Sequence, residues 1–156
     1  MTARIGVISD THNYLDPQVA RLFQGVDHIL HGGDVGLPRL ILELEQIAPV
    51  TAVLGNTDEA GLGLKVTEVV EVAGRKFLVH HIVNPQALEE PLRERIEREQ
   101  PAAVIFGHSH KPFNQTIQGR LFFNPGYAGH SRFGMNRSVA ILKCEKNRII
   151  PQYFPL

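Results

Sequence analysis

Short apolar runs and amphipathic stretches take turns through the first third of the chain. Arg4-Ile5-Gly6-Val7-Ile8 has the unbroken apolar character of a short strand covered on both faces. Asp16-Pro17 then reads as an N-cap followed by a first helical position. Val19, Leu22, Phe23 and Val26 mark one face of that helix, and Gly25 suits its end. Asp27 to His31 is a second strand running into Gly32-Gly33-Asp34. A second helix begins near Pro38, with Leu37, Leu40, Ile41, Leu44 and Ile47 as its apolar stripe and Pro49 as its stop. Thr51 to Leu54 is a third strand leading to Gly55-Asn56-Thr57-Asp58. A βαβαβ succession of this kind calls for a parallel sheet with right-handed crossovers.

Beyond the third strand the period changes. Gly61-Leu62-Gly63-Leu64 reads as loop, because it lacks the third glycine and following helix of a dinucleotide-binding turn. Val66 to Val72 and Phe77 to His80 flank Ala73-Gly74-Arg75-Lys76 as the arms of a hairpin. A third helix is predicted from about Pro91 to Gln100, with Leu92 and Ile96 inward and Glu94 and Arg98 as a favourable i,i+4 pair. Ala103 to Phe106 is a buried strand running into Gly107-His108-Ser109-His110. Phe113 to Ile117 and Leu121 to Phe123 follow, turned by Gln118-Gly119. Val139 to Lys143 and Ile149 to Phe154 come last, with Pro151 marking an edge strand. No repeat or linker interrupts the pattern, so residues 1–156 are expected to form one domain of two stacked sheets with helices outside.

Composition narrows the functional classes. With 43% apolar and 21% charged residues, the chain has the balance of a soluble globular protein. Its formal net charge is zero, which argues against a generic polyanion binder and makes long nucleic acid an unattractive partner. No run approaches the ~20 apolar residues of a membrane span, the amino terminus has no signal-peptide core, and the single Cys144 forms no internal disulfide. A cytoplasmic protein without membrane contact is expected; a homo-oligomer is compatible with the sequence.

The chemistry lies at the strand ends, beyond which open α/β sheets bind their ligands. These carry Asp10 and His12, then Asp34, then Asn56, then His80 or His81, then His108 and His110. In extended chain, residues i and i+2 point the same way, so each spaced pair is able to aim at one place. Seven oxygen and nitrogen donors without a thiolate suit two metal ions better than one. A carboxylate such as Asp34 can bridge ions ~3.5–4 Å apart, a spacing suited to phosphate ester hydrolysis. His28 and His31 read as hydrogen-bonded core histidines, and His130 as a solvated loop residue. Arg132 and Arg137 have the guanidinium geometry for a phosphate clamp, with surface placement as the plainer reading.

Asp10-x-His12, Gly33-Asp34, Gly55-Asn56-x-Asp58, a single histidine and Gly107-His108-x-His110, in this order, resemble the calcineurin-like metallophosphoesterases. Within them the chain looks like the small YfcE-type phosphodiesterases, whose closing motif Asn124-Pro125-Gly126 fits. The resemblance implies a four-layer α/β/β/α sandwich of two mixed sheets. It also implies a first ion held by Asp10, His12 and His110, a second held by Asn56, His80 and His108, and Asp34 between them. Manganese is the family's first choice; iron, cobalt, nickel and zinc also suit imidazole-rich sites. The family's lone histidine precedes glycine, whereas here it falls in the pair His80-His81. Strand register favours His80 as ligand and leaves His81 either supporting the ligands from behind or facing the substrate. Many phosphomonoesterases of the superfamily have histidine directly after the ligand asparagine, where this chain has Thr57, a poor general acid. Leaving-group protonation then falls to Asp58, His81 or a metal-bound water, with Asn56 and Arg132 contacting substrate. The implied activity is hydrolysis of a small phosphoester, most simply a diester, by a hydroxide shared between two ions. The alternative is a non-catalytic interaction scaffold on the same fold, resembling the retromer subunit; such a scaffold is free to lose ligands, yet all seven positions are filled here.

Overall fold

Apolar residues alternate between the two faces of nearly every strand, and that alternation builds the layers of the computed structural model, which describes residues 2–156. β1 (Ala3–Ile8), α1 (Gln18–Leu22), β2 (His28–His31), α2 (Pro38–Glu45) and β3 (Val50–Ala52) form the expected βαβαβ unit. The chain continues through β4 (Thr67–Val72), β5 (Arg75–His80), α3 (Leu92–Glu99), β6 (Ala103–Ile105), β7 (Phe113–Ile117), β8 (Arg120–Asn124), β9 (Ser138–Glu145) and β10 (Arg148–Pro155). One sheet has the order β10-β9-β1-β2-β3 and the other β4-β5-β6-β8-β7. Both are mixed: β1, β2 and β3 are parallel while β9 and β10 run antiparallel, and β5, β6 and β8 are parallel while β4 and β7 run antiparallel.

Three apolar clusters separate four layers. Ile5, Val7, Phe77, Val79, Ile105, Phe123, Ala140 and Leu142 fill the space between the sheets. Their strand neighbours face outward. Ile8, Ile29 and Ile141 meet Val19, Phe23, Leu40 and Leu44 from α1 and α2. Leu78, Val104 and Phe122 meet Leu92 and Ile96 from α3. The result is the expected α/β/β/α order. β10 is an edge strand, as Pro151 requires.

The structure departs from the expected elements in three places. α1 is a single short turn of helix, entered where Asp16 Oδ1 accepts the Gln18 amide (2.9 Å) and closed before Gly25 (φ 83°). Along α3 the ion pairs join Arg93 to Glu97 (2.8 Å) and Arg95 to Glu99 (3.2 Å), and the expected Glu94–Arg98 pair is not among those formed. Leu37 leaves the α2 stripe: it precedes the first turn in extended conformation (ψ 155°) and remains 53% exposed.

Candidate metal centre

The carboxyl ends of parallel strands from both sheets open at one edge, and the polar residues there converge. Asp10 Oδ1 lies 3.3 Å from His110 Nε2 and 3.9 Å from His12 Nε2. Asn56 Oδ1 lies 2.9 Å from His81 Nε2 and 3.1 Å from His108 Nδ1. Asp34 Oδ2 reaches toward both groups, 3.8 Å from His12 Nε2 and 3.2 Å from His81 Nε2. Donors from five loops thus gather as two neighbouring sets with one carboxylate between them.

Strand parity does not produce this convergence. Asp10, His12, Asp34, His108 and His110 have φ values of 56°, 46°, 55°, 70° and 63°, so the backbone turns through the left-handed region at each. The expectation that the spaced pairs aim together from extended chain is therefore corrected. Each such residue costs about 1–3 kcal/mol and persists only where its surroundings impose it. Close packing of the loops supplies that constraint. A Cβ on Gly107 would overlap Ser9 Oγ and lie 2.5 Å from Asp10 Oδ2, and one on Gly55 would overlap the Asp34 amide nitrogen and carboxylate. The glycines of the motifs let loops touch.

A hydrogen-bonded layer holds these loops. The Gly33 amide donates to His31 Nδ1 (3.1 Å), which assigns the ring proton to Nε2, where Thr11 Oγ1 accepts it at 2.9 Å. The Thr11 hydroxyl in turn donates to the Val35 carbonyl (2.9 Å). Burial lowers the pKa of His31 to about 3, so the ring stays neutral and stitches the Asp10 loop to the Asp34 loop. His28 likewise bonds to Thr51 (2.8 Å). Asn124 donates to the Gly107 carbonyl (3.0 Å) and accepts the Gly126 amide (2.9 Å), tying the Asn-Pro-Gly turn to the His108 loop. Tyr127 is buried with its ring 4.7 Å from that of His110.

Several sequence expectations are corrected. His80 is not in the cluster: its Nδ1 meets Thr67 Oγ1 at 2.8 Å on the α3 side, because it shares the outward parity of Leu78. His81 follows the inward parity of Phe77 and Val79 and takes the position expected of His80. Asp58 is not presented as an acid. Its Oδ2 accepts the Val35 (3.0 Å) and Gly55 (2.9 Å) amides, and its Oδ1 accepts that of Gly36 (3.0 Å). Arg137 is engaged by Asp16 (3.0 Å) and the Gly129 carbonyl (2.6 Å), away from any clamp. Arg132 lies over the Tyr127 ring, 5.3 Å from its centroid. His130 is an exposed loop residue, as expected, and its ring stacks on Tyr14 at 4.0 Å.

The donor set fits a cation. The Gly32 carbonyl, 2.7 Å from His81 Nδ1, can only accept, so Nδ1 carries a proton and the neutral ring turns the Nε2 lone pair toward Asn56 Oδ1 and Asp34 Oδ2. Three acceptors face one another there. Asp10 Oδ2 is satisfied by Ser9 (2.7 Å) and the His108 amide (3.1 Å), while buried Asp10 Oδ1 and His12 Nε2 have no hydrogen-bond partner among the described residues. With protons alone the strain shows as opposed shifts. Burial pushes the Asp10 carboxyl up. Burial would push Asp34 up as well, but bonds from His81 and Thr57 hold it well below the usual carboxylate range. His81 is held above the ordinary histidine range because Asp34 and Gly32 outweigh burial. A divalent ion removes the need for that extra proton.

Beside the cluster, and sharing His12 and Thr57 with it, opens a cavity of about 620 Å³.

Two mixed sheets sandwiched between helices, with imidazoles and buried carboxylates gathered where the strand ends meet, define an α/β sandwich with a candidate metal centre at one edge. A family model described as the calcineurin-like phosphoesterase superfamily domain matches residues 3–147. A probable metallophosphoesterase of Methanothermobacter thermautotrophicus is 32% identical over 152 residues, covering 93% of this chain and 88% of that protein. The structure of an archaeal phosphodiesterase superposes with a TM-score of 0.76 at 26% identity, over 98% of this chain and 99% of that one. Vps29 of Entamoeba histolytica, solved with zinc, gives 0.71 at 24% identity over 97% and 98%, a likeness that bears on the fold alone. The chain belongs to the calcineurin-like phosphoesterase superfamily.

Proposed function

We propose that the protein is a metal-dependent phosphodiesterase acting on a small phosphoester. Asp10, His12 and His110 would hold one divalent ion, Asn56, His81 and His108 a second, and Asp34 would serve both. The observation that carries this reading is the reach of Asp34 Oδ2 toward His12 on one side and His81 on the other, at 3.8 and 3.2 Å. Such a pair of ions supplies Lewis acidity at the phosphoryl group and a nucleophile at neutral pH. Manganese is the ion expected first, from the family resemblance, and the imidazole content also suits iron, cobalt, nickel or zinc.

The surrounding residues favour a diester over an alkyl monoester. Thr57 follows Asn56, and its amide donates to Asp34 Oδ1 at 2.9 Å. Its hydroxyl is a poor acid near neutral pH, and both oxygens of Asp58 are taken by amides. With His81 turned into the cluster, no free side-chain acid follows Asn56. Leaving groups that depart without a proton are therefore preferred. Arg132 stands on the Tyr127 side, where its guanidinium would meet a phosphoryl oxygen.

The test is turnover of bis(p-nitrophenyl) phosphate with each divalent ion, in wild type and Asp34→Asn. Divalent-dependent turnover is expected, with a loss on the order of 10²-fold in the variant, the scale of removing one electrostatic contributor. Absence of turnover with every ion would overturn the reading in favour of a scaffold.

A further inference from the structure

The cavity beside the cluster has a composition that selects among phosphodiesters. We infer that Leu37, Pro38, Gly61 and Leu62 form a subsite for an uncharged, nucleoside-sized or aryl substituent of the diester, and that Glu59 excludes a substituent bearing a further phosphate. The inference rests on the phosphodiesterase reading and names the substrate class of that site.

Position comes first. His12 belongs both to the cluster and to the cavity wall, and Thr57, whose amide holds Asp34, lines the same space. A phosphoryl group at the cluster therefore directs one of its ester substituents into this cavity. At about 620 Å³ the space has the size of a small-molecule pocket and exceeds what a methyl or nitrophenyl group fills.

The lining joins an apolar surface to the polar side chains His12, Asn13 and Thr57, and its carboxylates are acidic charges without a cationic counterpart. Leu37 stands 53% exposed although Leu40 and Leu44 of the neighbouring helix are fully buried. Pro38 and partly buried Leu62 extend that surface. The charged lining residues are Asp58, whose oxygens are consumed by amides, and exposed Glu59; no lysine or arginine contributes. Nearby Arg39 is turned to Glu43 (3.3 Å) and the Asn13 carbonyl (3.0 Å). A second phosphate would enter a cation-free space facing a carboxylate, whereas a base or aryl ring would cover Leu37 and Leu62.

Gly61 keeps the space open. It lies on the single 3₁₀ turn Ala60–Leu62, is not among the glycines of positive φ, and a Cβ placed on it meets nothing within 4 Å. The backbone does not demand glycine there, so a larger residue folds normally and projects into the cavity region.

The experiment compares two esters with the same leaving group, p-nitrophenyl thymidine 5′-phosphate and methyl p-nitrophenyl phosphate, on manganese-loaded protein. Wild type is expected to prefer the thymidine ester by about tenfold in kcat/KM, the effect of withdrawing ~60 Å² of apolar surface from water. Gly61→Phe is expected to abolish that preference. A 3′-phosphorylated thymidine ester is expected to lose about fivefold, a loss that Glu59→Gln removes. Independently of turnover, free thymidine added to metal-free protein should shift the amide resonances of Leu37, Gly61 and Leu62, and not those of Gly61→Phe at positions 37 and 62. A preference unchanged in Gly61→Phe, or thymidine shifts confined elsewhere, overturns the subsite and leaves the phosphodiesterase reading standing. No turnover of either ester with any divalent ion overturns that reading, and the amide shifts then decide the cavity alone.

Discussion

His80 and His81, adjacent at the end of β5, turn their rings to opposite faces of the sheet: His80 Nδ1 lies 2.8 Å from Thr67 Oγ1, and His81 Nε2 lies 2.9 Å from Asn56 Oδ1. Only one of them can serve a metal. Replacing His81 with alanine should lower divalent-ion content from two per chain toward one, while His80→Ala keeps both ions. Metal analysis of the dialysed proteins decides this, and retention of both ions in His81→Ala would reverse the assignment.

Asp58 organises the site from beneath. Its carboxylate gathers the amides of Val35, Gly36 and Gly55, which joins the loop after β2 to the loop after β3. Asp58→Asn replaces one acceptor oxygen with a donor, leaving a backbone amide without its partner. The expected loss is about 1–3 kcal/mol in urea unfolding of the metal-free protein. A proton-donating Asp58 would behave differently: the variant would keep its stability and lose only the alkaline limb of its pH–rate profile.

The absence of a side-chain acid beside Thr57 predicts a steep dependence on the leaving group. Across aryl phosphodiesters of rising phenol pKa, turnover should fall continuously, and alkyl monoesters should be nearly inert. Thr57→His should flatten the series, raising the slowest esters by ~10²-fold, the contribution of a positioned general acid. Equal turnover of alkyl and nitrophenyl monoesters by the wild type would contradict this.

Much of the fold was legible because apolar period and turn chemistry agree with it. The βαβαβ unit, the hairpin arms and the edge strand carrying Pro151 all follow from local pattern. Six of the seven proposed donors were legible as well, since Gly-Asp, Gly-Asn and Gly-His sit where strands stop. The choice between His80 and His81 was hidden. Both faces of β5 are apolar, Phe77 and Val79 on one and Leu78 on the other, so its sequence does not say which face meets the second sheet. The left-handed turns at Asp10, Asp34 and His108 were hidden too, because contacts between distant loops impose them against local preference. His31 is the hydrogen-bonded core histidine that the sequence suggested, but its partners, like the role of Tyr127, depend on contacts that no short-range signal marks.

The loop carrying Arg132 is anchored by an ion pair whose effect depends on pH. Burial would raise the Asp16 carboxyl, but the Gln18 amide and Arg137 outweigh it and hold it below the usual carboxylate range. A depressed carboxylate contributes stability that is fully present above its unfolded value of about 3.9 and is lost as pH falls through the lower folded value. Asp16→Asn should therefore destabilise the protein by about 1–3 kcal/mol at pH 6, with the difference from wild type shrinking below about pH 4. Urea unfolding across that range checks it, and a pH-independent difference would show that Asp16 acts without its charge.

Anomalous scattering from crystals soaked in manganese tests the arrangement around Asp34 most directly. Two peaks ~3.5–4 Å apart are expected, with Asp34 between them, Asp10, His12 and His110 around one, and Asn56, His81 and His108 around the other. A single fully occupied peak, or manganese bound elsewhere with Asp34 turned away, would contradict it.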